Sequence, residues 1–399
     1  MARVLYITTS QPGCNPRLRK SADAMSGAGH QVHVLYLYKS PWATEADAEI
    51  FESAGWTHHL AGGSPTQHRW RYFLSRLVRK AAEMLGHRKR AFCRGYSEFL
   101  RHGAAFKPNL IVGHNPGALG PIVTLGDRLG VSVVFDAEDY HRGEFPEHSK
   151  EAKETALLEE ELLPKVTAMT AASPLIARMY AELFPEKQID VVWNVFSLQY
   201  LKPDSVVVPD DSQPLKMIWF SQVIGPDRGL LEFFQAFKFL KDIPLEICLI
   251  GACRPGMEDM LTELLSENHQ LSIRPPMPES KLFAQLANHE IGLGLETGFS
   301  TNNELALSNK VLSYPLAGCF SLLSKTQGQS QFIQTNPAAG TLIDLNDPQK
   351  VAQVIRWTKE NRRALTQQRI KALALAKEKL NWEHESLRLQ ECLGALVNS

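Results

Sequence analysis

The chain has 399 residues, 43 lysines and arginines against 43 aspartates and glutamates, and 44% hydrophobic residues. That hydrophobic share excludes a disordered chain and is enough for two cores. The even charge excludes a global pull toward nucleic acid, so any basic patch is local.

Arg3 to Thr8 (RVLYIT) reads as a buried strand, followed by a Gly/Pro-rich loop from Gln11 to Pro16 and a helix from about Arg17 to Met25. His30 to Tyr38 is a second strand, and strand, helix and strand in close succession make a βαβ unit, hence a parallel sheet. Between Arg69 and Arg94 stand nine arginines and lysines and one acid, Glu83, with Trp70, Phe73, Leu74, Leu77, Val78, Ala81 and Leu85 at helical spacing. Two readings of this basic amphipathic helix stay open: it lies on an anionic membrane, or it turns its apolar face into the core and a cationic face to water. The strand and helix pattern returns at Pro108–Gly113, Ala118–Leu129 and Val131–Asp136, with further strands at Ala168–Ala172 and Asp190–Trp193.

Lys202 to Pro214 is polar and proline-bearing, and predicts a linker over 201–214 between domains at 1–200 and 215–375. The alternation restarts with strands at Lys216–Ser221, Leu245–Gly251 and Ile291–Leu295. Helices are expected at Gly229–Leu240, Met257–Asn268, Lys281–Asn288 and Asn309–Ala317, and Pro348 to Val397 is almost wholly helical by propensity. The expected fold class is therefore α/β, with two Rossmann-like domains facing across a ligand-holding cleft. No GxGxxG follows Thr8 or Ser221, which disfavours nicotinamide chemistry.

The six cysteines, Cys14, Cys93, Cys248, Cys253, Cys319 and Cys392, form no CxxC pair and read as reduced thiols, with no metal expected. The N-terminus lacks the features of a signal peptide, and no run of about 18 apolar residues predicts a transmembrane helix. A cytoplasmic protein is expected, peripheral at the inner membrane face if the basic helix docks.

Trp219 to Gly229 (WFSQVIGPDRG) leaves a strand and enters a helix. Its glycines, Gly225 and Gly229, and the fork-shaped Arg228 are suited to a phosphate. This segment resembles the start of the nucleotide-binding domain in family-four-type (group one) retaining glycosyltransferases of the GT-B fold, which carry a Lys-Gly or Arg-Gly pair here. Glu296 to Gly318 resembles their donor segment, with Asn309-Lys310 before a helix. The resemblance implies that Lys310 faces the donor diphosphate, Glu296 the sugar, and either Glu304 or Ser313 the ribose. A lysine at a helix N-terminus is unfavourable for the macrodipole unless an anion sits there, which agrees with that role.

In the first half, Gln11 to Arg17 resembles the family's strand, Gly/Pro loop and arginine, and implies acceptor-side roles for Gly13, Asn15 and Arg17. Gly13 is expected to let the backbone approach the donor, and Arg17 either to meet an anionic acceptor or simply to begin the helix. His114 stands where related enzymes place a histidine against the transferring sugar. Glu138, Asp139 and His141, in DAEDYH, end the neighbouring strand. Ser173, Asn194 and Leu380-Asn381-Trp382 resemble further family positions, the last implying that 376–399 packs back on the first domain. The resemblance implies a glycosyltransferase with a nucleotide-sugar donor, a glycan or lipid-linked acceptor, and no cofactor. A nucleotide-sugar epimerase on the same fold and a non-catalytic binding scaffold are the alternatives.

Overall fold

The computed structural model describes residues 1–202 and 206–397. They form two compact units, one of Met1–Val192 with Ser386–Ser399, the other of Trp193–Glu385. The division falls between Val192 and Trp193, ahead of the segment 201–214 expected as a linker, of which 203–205 lie outside the described residues. The reason is aromatic packing: Phe196 and Tyr200 set their rings 5.0 and 4.9 Å from Phe283 inside the second unit. Helix Trp382–Val397 starts in the second unit, where Glu385 accepts from the Trp193 backbone N–H at 2.7 Å. It continues into the first, where Gln390 donates to the Ala24 carbonyl at 3.1 Å. Residues 398–399 lie outside the described residues.

The first unit is built on β1 (Arg3–Thr8), β2 (Gln31–Leu37), β3 (Thr57–Ala61), β4 (Leu110–His114), β5 (Ser132–Ala137), β6 (Ala168–Ala171) and β7 (Ile189–Val191). They form one parallel sheet in the order β3-β2-β1-β4-β5-β6-β7. Strands β1, β4 and β5 are apolar runs buried almost throughout, as strands covered on both faces must be. Thr8 pairs with His114, and His114 with Asp136, so three polar residues meet where the strand order reverses between β1 and β4. Doubly wound sheets place ligands at that point. The helices that follow are fixed locally. Asn15 Oδ1 accepts from the Leu18 N–H at 2.9 Å to cap Pro16–Gly27, and Pro116 opens Pro116–Leu129.

The second unit repeats the plan with β8 (Leu215–Ile224), β9 (Leu245–Cys253), β10 (His269–Arg274), β11 (Ile291–Gly294), β12 (Phe320–Ser324) and β13 (Gly340–Ile343), all parallel, in the order β10-β9-β8-β11-β12-β13. The helix expected over Gly229–Leu240 is three short turns, Pro226–Arg228, Leu230–Phe234 and Gln235–Phe239. Phe233, Phe234 and Phe237 point from it into the core.

The basic segment is two helices, Arg69–Met84 and Arg88–Ala91, broken at Gly86 with φ 72°. Ala82 is the buried residue of the first, while Trp70 is 68%, Leu77 66% and Leu85 71% exposed. The reading that sends this apolar face into the core is therefore overturned. No described helix is long and apolar enough to cross a membrane.

Candidate functional site

In the second unit the site forms beyond the C-terminal ends of β8 and β11. Lys310, second in helix Asn309–Ser313, is buried, and its Nζ lies 2.9 Å from Glu296 Oε1 and 5.5 Å from the centre of the Trp219 ring. Asn303 Nδ2 donates to Glu296 Oε2 at 3.0 Å. Burial alone would raise the Glu296 carboxyl, but Lys310 and Asn303 hold it down at about 2. Lys310 and Asn309 line a cavity of about 320 Å³ with Ser221, Gln222, Phe220 and Met277. Asn309 Oδ1 also accepts from Asn194 Nδ2 at 2.9 Å. The cavity lining joins a lysine and polar groups with apolar side chains.

Gly229 has φ 69°, and a Cβ there would lie 2.5 Å from the Leu295 carbonyl oxygen, so glycine is required where the loop passes the end of β11. Gly225 is buried under the Arg254 side chain, and Arg228 ends the turn half-buried. Arg254, which the sequence reading passed over, brings a second cation to this loop, with Nη1 3.8 Å from Asp227.

One donor-site expectation fails, and a second residue is engaged by a neighbouring helix. Ser313 is fully buried and its hydroxyl donates to the Lys310 carbonyl at 2.8 Å, so it has no reach to a ribose. Glu304 accepts from the Gln327 N–H at 2.9 Å, the first residue of helix Gln327–Thr335, and so serves as that helix's N-terminal acceptor.

In the first unit, His114 is 1% exposed. Its Nδ1 lies 3.1 Å from Asp136 Oδ2, at ion-pair distance without hydrogen-bond alignment, and its Nε2 is buried without a partner. Asp136 also takes Arg17 Nε at 2.7 Å and Nη2 at 2.8 Å, and the Thr170 hydroxyl. Burial opposes its ionisation, yet Arg17 and His114 hold its carboxyl well below the usual range. Arg17 further donates to the Val192 carbonyl at 2.6 Å and is 4% exposed. It is thus a buried clamp between strands, and the acceptor-facing reading of Arg17 is corrected. At Gly13 a Cβ would stand 3.1 Å from Ala46 Cβ, so the glycine lets the loop pack on helix Trp42–Ser53, and its N–H donates to Asp47 at 2.7 Å.

Asn115, unnoticed as a site residue, has φ 70° and ψ 150°, strained for a residue with a side chain. Its Oδ1 accepts from the Thr8 hydroxyl at 2.8 Å, and its Nδ2 donates to Glu138 Oε1, which Asn15 Nδ2 also reaches at 3.4 Å. Burial pushes the Glu138 carboxyl up against the pull of His114. His141 Nδ1 lies 2.5 Å from Glu144 Oε1; burial would lower this imidazole, but Glu144 holds it at about 9. Asp139, His141 and Glu144 bring ligand atoms within 4.8 Å of one another, as do His59, Glu98 and His102. The first trio is closed by the His141–Glu144 contact, and in the second Arg71 holds Glu98 at 2.5 Å. The structure thus gathers His114, Asn15 and Glu138 at the strand crossover, with Asp139 and His141 on the loop that follows β5.

Residues 12–194 match the family described as glycosyl transferase 4-like domain. No curated protein matches the chain. Among solved structures it is similar to Anabaena HepE in complex with UDP, at 15% identity and TM-score 0.68 over 99% of this chain and 100% of that one. Sucrose-phosphate synthase from Thermosynechococcus elongatus gives 13% and 0.69, over 100% of both chains. A TarM variant from S. aureus, in a complex that includes UDP, gives 9% and 0.68, over 100% of both. The chain is therefore a GT-B-fold protein that resembles the family-four, group-one glycosyltransferases, with a glycosyl transferase 4-like domain at residues 12–194.

Proposed function

We propose that the protein transfers a hexosyl group from a nucleotide-diphosphate sugar to an acceptor, with retention, in cell-surface polysaccharide or glycolipid synthesis. The observation that carries this reading is Lys310, a buried ammonium on the wall of a 320 Å³ cavity at the strand crossover of the second sheet. HepE, alike in fold, was solved with UDP and with UDP-glucose, which supports a nucleotide sugar as the donor.

In this reading the diphosphate enters beside Lys310, and the Gly225–Gly229 loop with Arg228 takes up charge as the bond to the sugar breaks. Glu296 keeps Lys310 oriented until the donor arrives and faces the sugar hydroxyls afterwards. No side chain is assigned as a nucleophile, and the leaving phosphate takes the acceptor proton. Nδ1 of His114 faces Asp136, which leaves Nε2 for a sugar hydroxyl.

The acceptor is a glycan or lipid-linked molecule. A membrane source agrees with helix Arg69–Met84, whose exposed Trp70, Phe73, Leu74 and Leu77 lie among exposed Arg69, Arg76, Arg79 and Lys80. An apolar stripe flanked by cations fits an anionic bilayer surface. The test is nucleoside-diphosphate release from a panel of nucleotide sugars, with and without acceptors, together with the identity of the remaining sugar: a transferase releases the diphosphate with acceptor present, an epimerase changes the sugar without net release, and a scaffold does neither.

A further inference from the structure

Three described residues with side chains have a positive φ: His68, Lys107 and Asn115. His68 and Lys107 have ψ of 50° and 61°, inside the left-handed well that residues with side chains tolerate at helix ends. Asn115 combines φ 70° with ψ 150°, a backbone that suits glycine. It stands between His114, the last residue of β4, and Pro116, the first of helix Pro116–Leu129. Glycine would hold this turn without strain, so the turn alone does not call for an asparagine.

The side chain gives the reason. The Ser10 N–H donates to Thr8 Oγ1 at 3.1 Å, and the Thr8 hydroxyl then donates to Asn115 Oδ1 at 2.8 Å. An amide accepts at its oxygen and donates at its nitrogen, so this chain turns Nδ2 toward Glu138, where it donates to Oε1. Asn15 Nδ2 reaches the same oxygen at 3.4 Å. Glu138 directly follows β5 and is half-buried. Its Oε2 has no hydrogen bond or ion pair among the described residues. One carboxylate oxygen is thus held from two sides, and the other is left without a protein partner.

We propose that Asn115 is a positioning residue, which holds Glu138 so that Oε2 accepts a hydroxyl of the acceptor close to His114. This rests on the transferase reading. A carboxylate accepts a sugar hydroxyl in a charge-assisted bond, roughly twice as strong as a neutral one, provided that the carboxylate is aimed. Holding Oε1 aims it, and the strained turn places the amide that does so.

The test uses the whole chain, the nucleotide sugar released fastest in the panel with UDP-glucose included, and octyl glucoside as the acceptor probe. Asn115→Gly removes the amide and accepts the backbone. It is expected to lower kcat/KM for the acceptor at least about tenfold, with nucleoside-diphosphate affinity within about twofold of native. Asn115→Asp keeps an oxygen for Thr8 but sets a second carboxylate against Glu138, and is expected to lose as much. Glu138→Gln is expected to lose at least as much again, and adding Asn115→Gly to it to cost nothing further, because Asn115 acts through Glu138. Native transfer in either asparagine variant overturns the proposal. Losses that multiply in the double variant, or diphosphate affinity lost along with transfer, would mean that Asn115 only shapes the backbone, and overturn it too. Absence of release by the native protein across the panel defeats the transferase reading itself, and the proposal with it.

Discussion

Lys310 Nζ and Glu296 Oε1 lie 2.9 Å apart, with each side chain 10% exposed. An anion that reaches Lys310 therefore shares it with a carboxylate already in place. The pair also makes stability depend on pH. The Glu296 carboxyl is held at about 2 when folded, against its ordinary 4.5, so the folded state favours the ionised form. The stabilisation is present above about pH 4.5 and is lost as pH falls toward about 2. In urea unfolding, the gap between native protein and Glu296→Gln is expected to narrow from about pH 5 to pH 3. A gap that stays constant would mean the pair is not the source.

His114 offers Nε2 from a buried position without an internal partner. Removing one hydrogen bond in a buried site costs about 1–3 kcal/mol, or roughly 5- to 150-fold in rate. His114→Ala is expected to lower turnover by that range while nucleoside-diphosphate affinity stays near native. Collapse of diphosphate affinity with unchanged turnover per bound donor would remove His114 from the sugar's surroundings.

Arg17 and Asp136 are joined by two hydrogen bonds inside the first sheet's crossover. Breaking a buried pair from one side typically costs about 3–5 kcal/mol, because the partner keeps its charge. Arg17→Met should lower stability on that scale in chemical denaturation. A change below about 1 kcal/mol, the level of an exposed pair, would contradict the burial argument.

Membrane docking by Arg69–Met84 is testable with cations that hold no ion pair among the described residues. Arg88 and Lys89 are unsuitable, because they pair with Glu154 and Glu161. Arg76, Arg79 and Lys80 are exposed. Each cation near an anionic surface contributes about 1 kcal/mol, less as salt screens it. Co-sedimentation with anionic vesicles should fall with salt, and fall further when those three become glutamine. Equal binding to neutral vesicles would point to insertion by Trp70 and Phe73 without charge recognition.

The central strands of both sheets were legible because parallel strands are continuous apolar runs separated by helical patterns. Several of the other strands were not. Thr57–Ala61 is polar, and Phe320–Ser324 and Gly340–Ile343 are short and lie beside glycine. His114 and Lys310 could be singled out as candidates because chemistry-bearing residues stood at strand or helix ends. Arg17 and Ser313 were misread because their partners, Asp136 and the Lys310 carbonyl, come from packing or from a helix turn that sequence spacing does not reveal. Asn115 was not foreseen: its φ of 70° goes with bonds to Thr8 and Glu138 that sequence spacing does not show.

The most direct measurement is nucleotide-sugar affinity and turnover in Lys310→Ala beside the native protein, with folding checked by circular dichroism. Loss of a charge-assisted hydrogen bond of about 1.5–3 kcal/mol should weaken donor binding roughly 10- to 150-fold and lower transfer with it. Native donor affinity in a folded Lys310→Ala protein would contradict the assignment of the Lys310 cavity as the donor site.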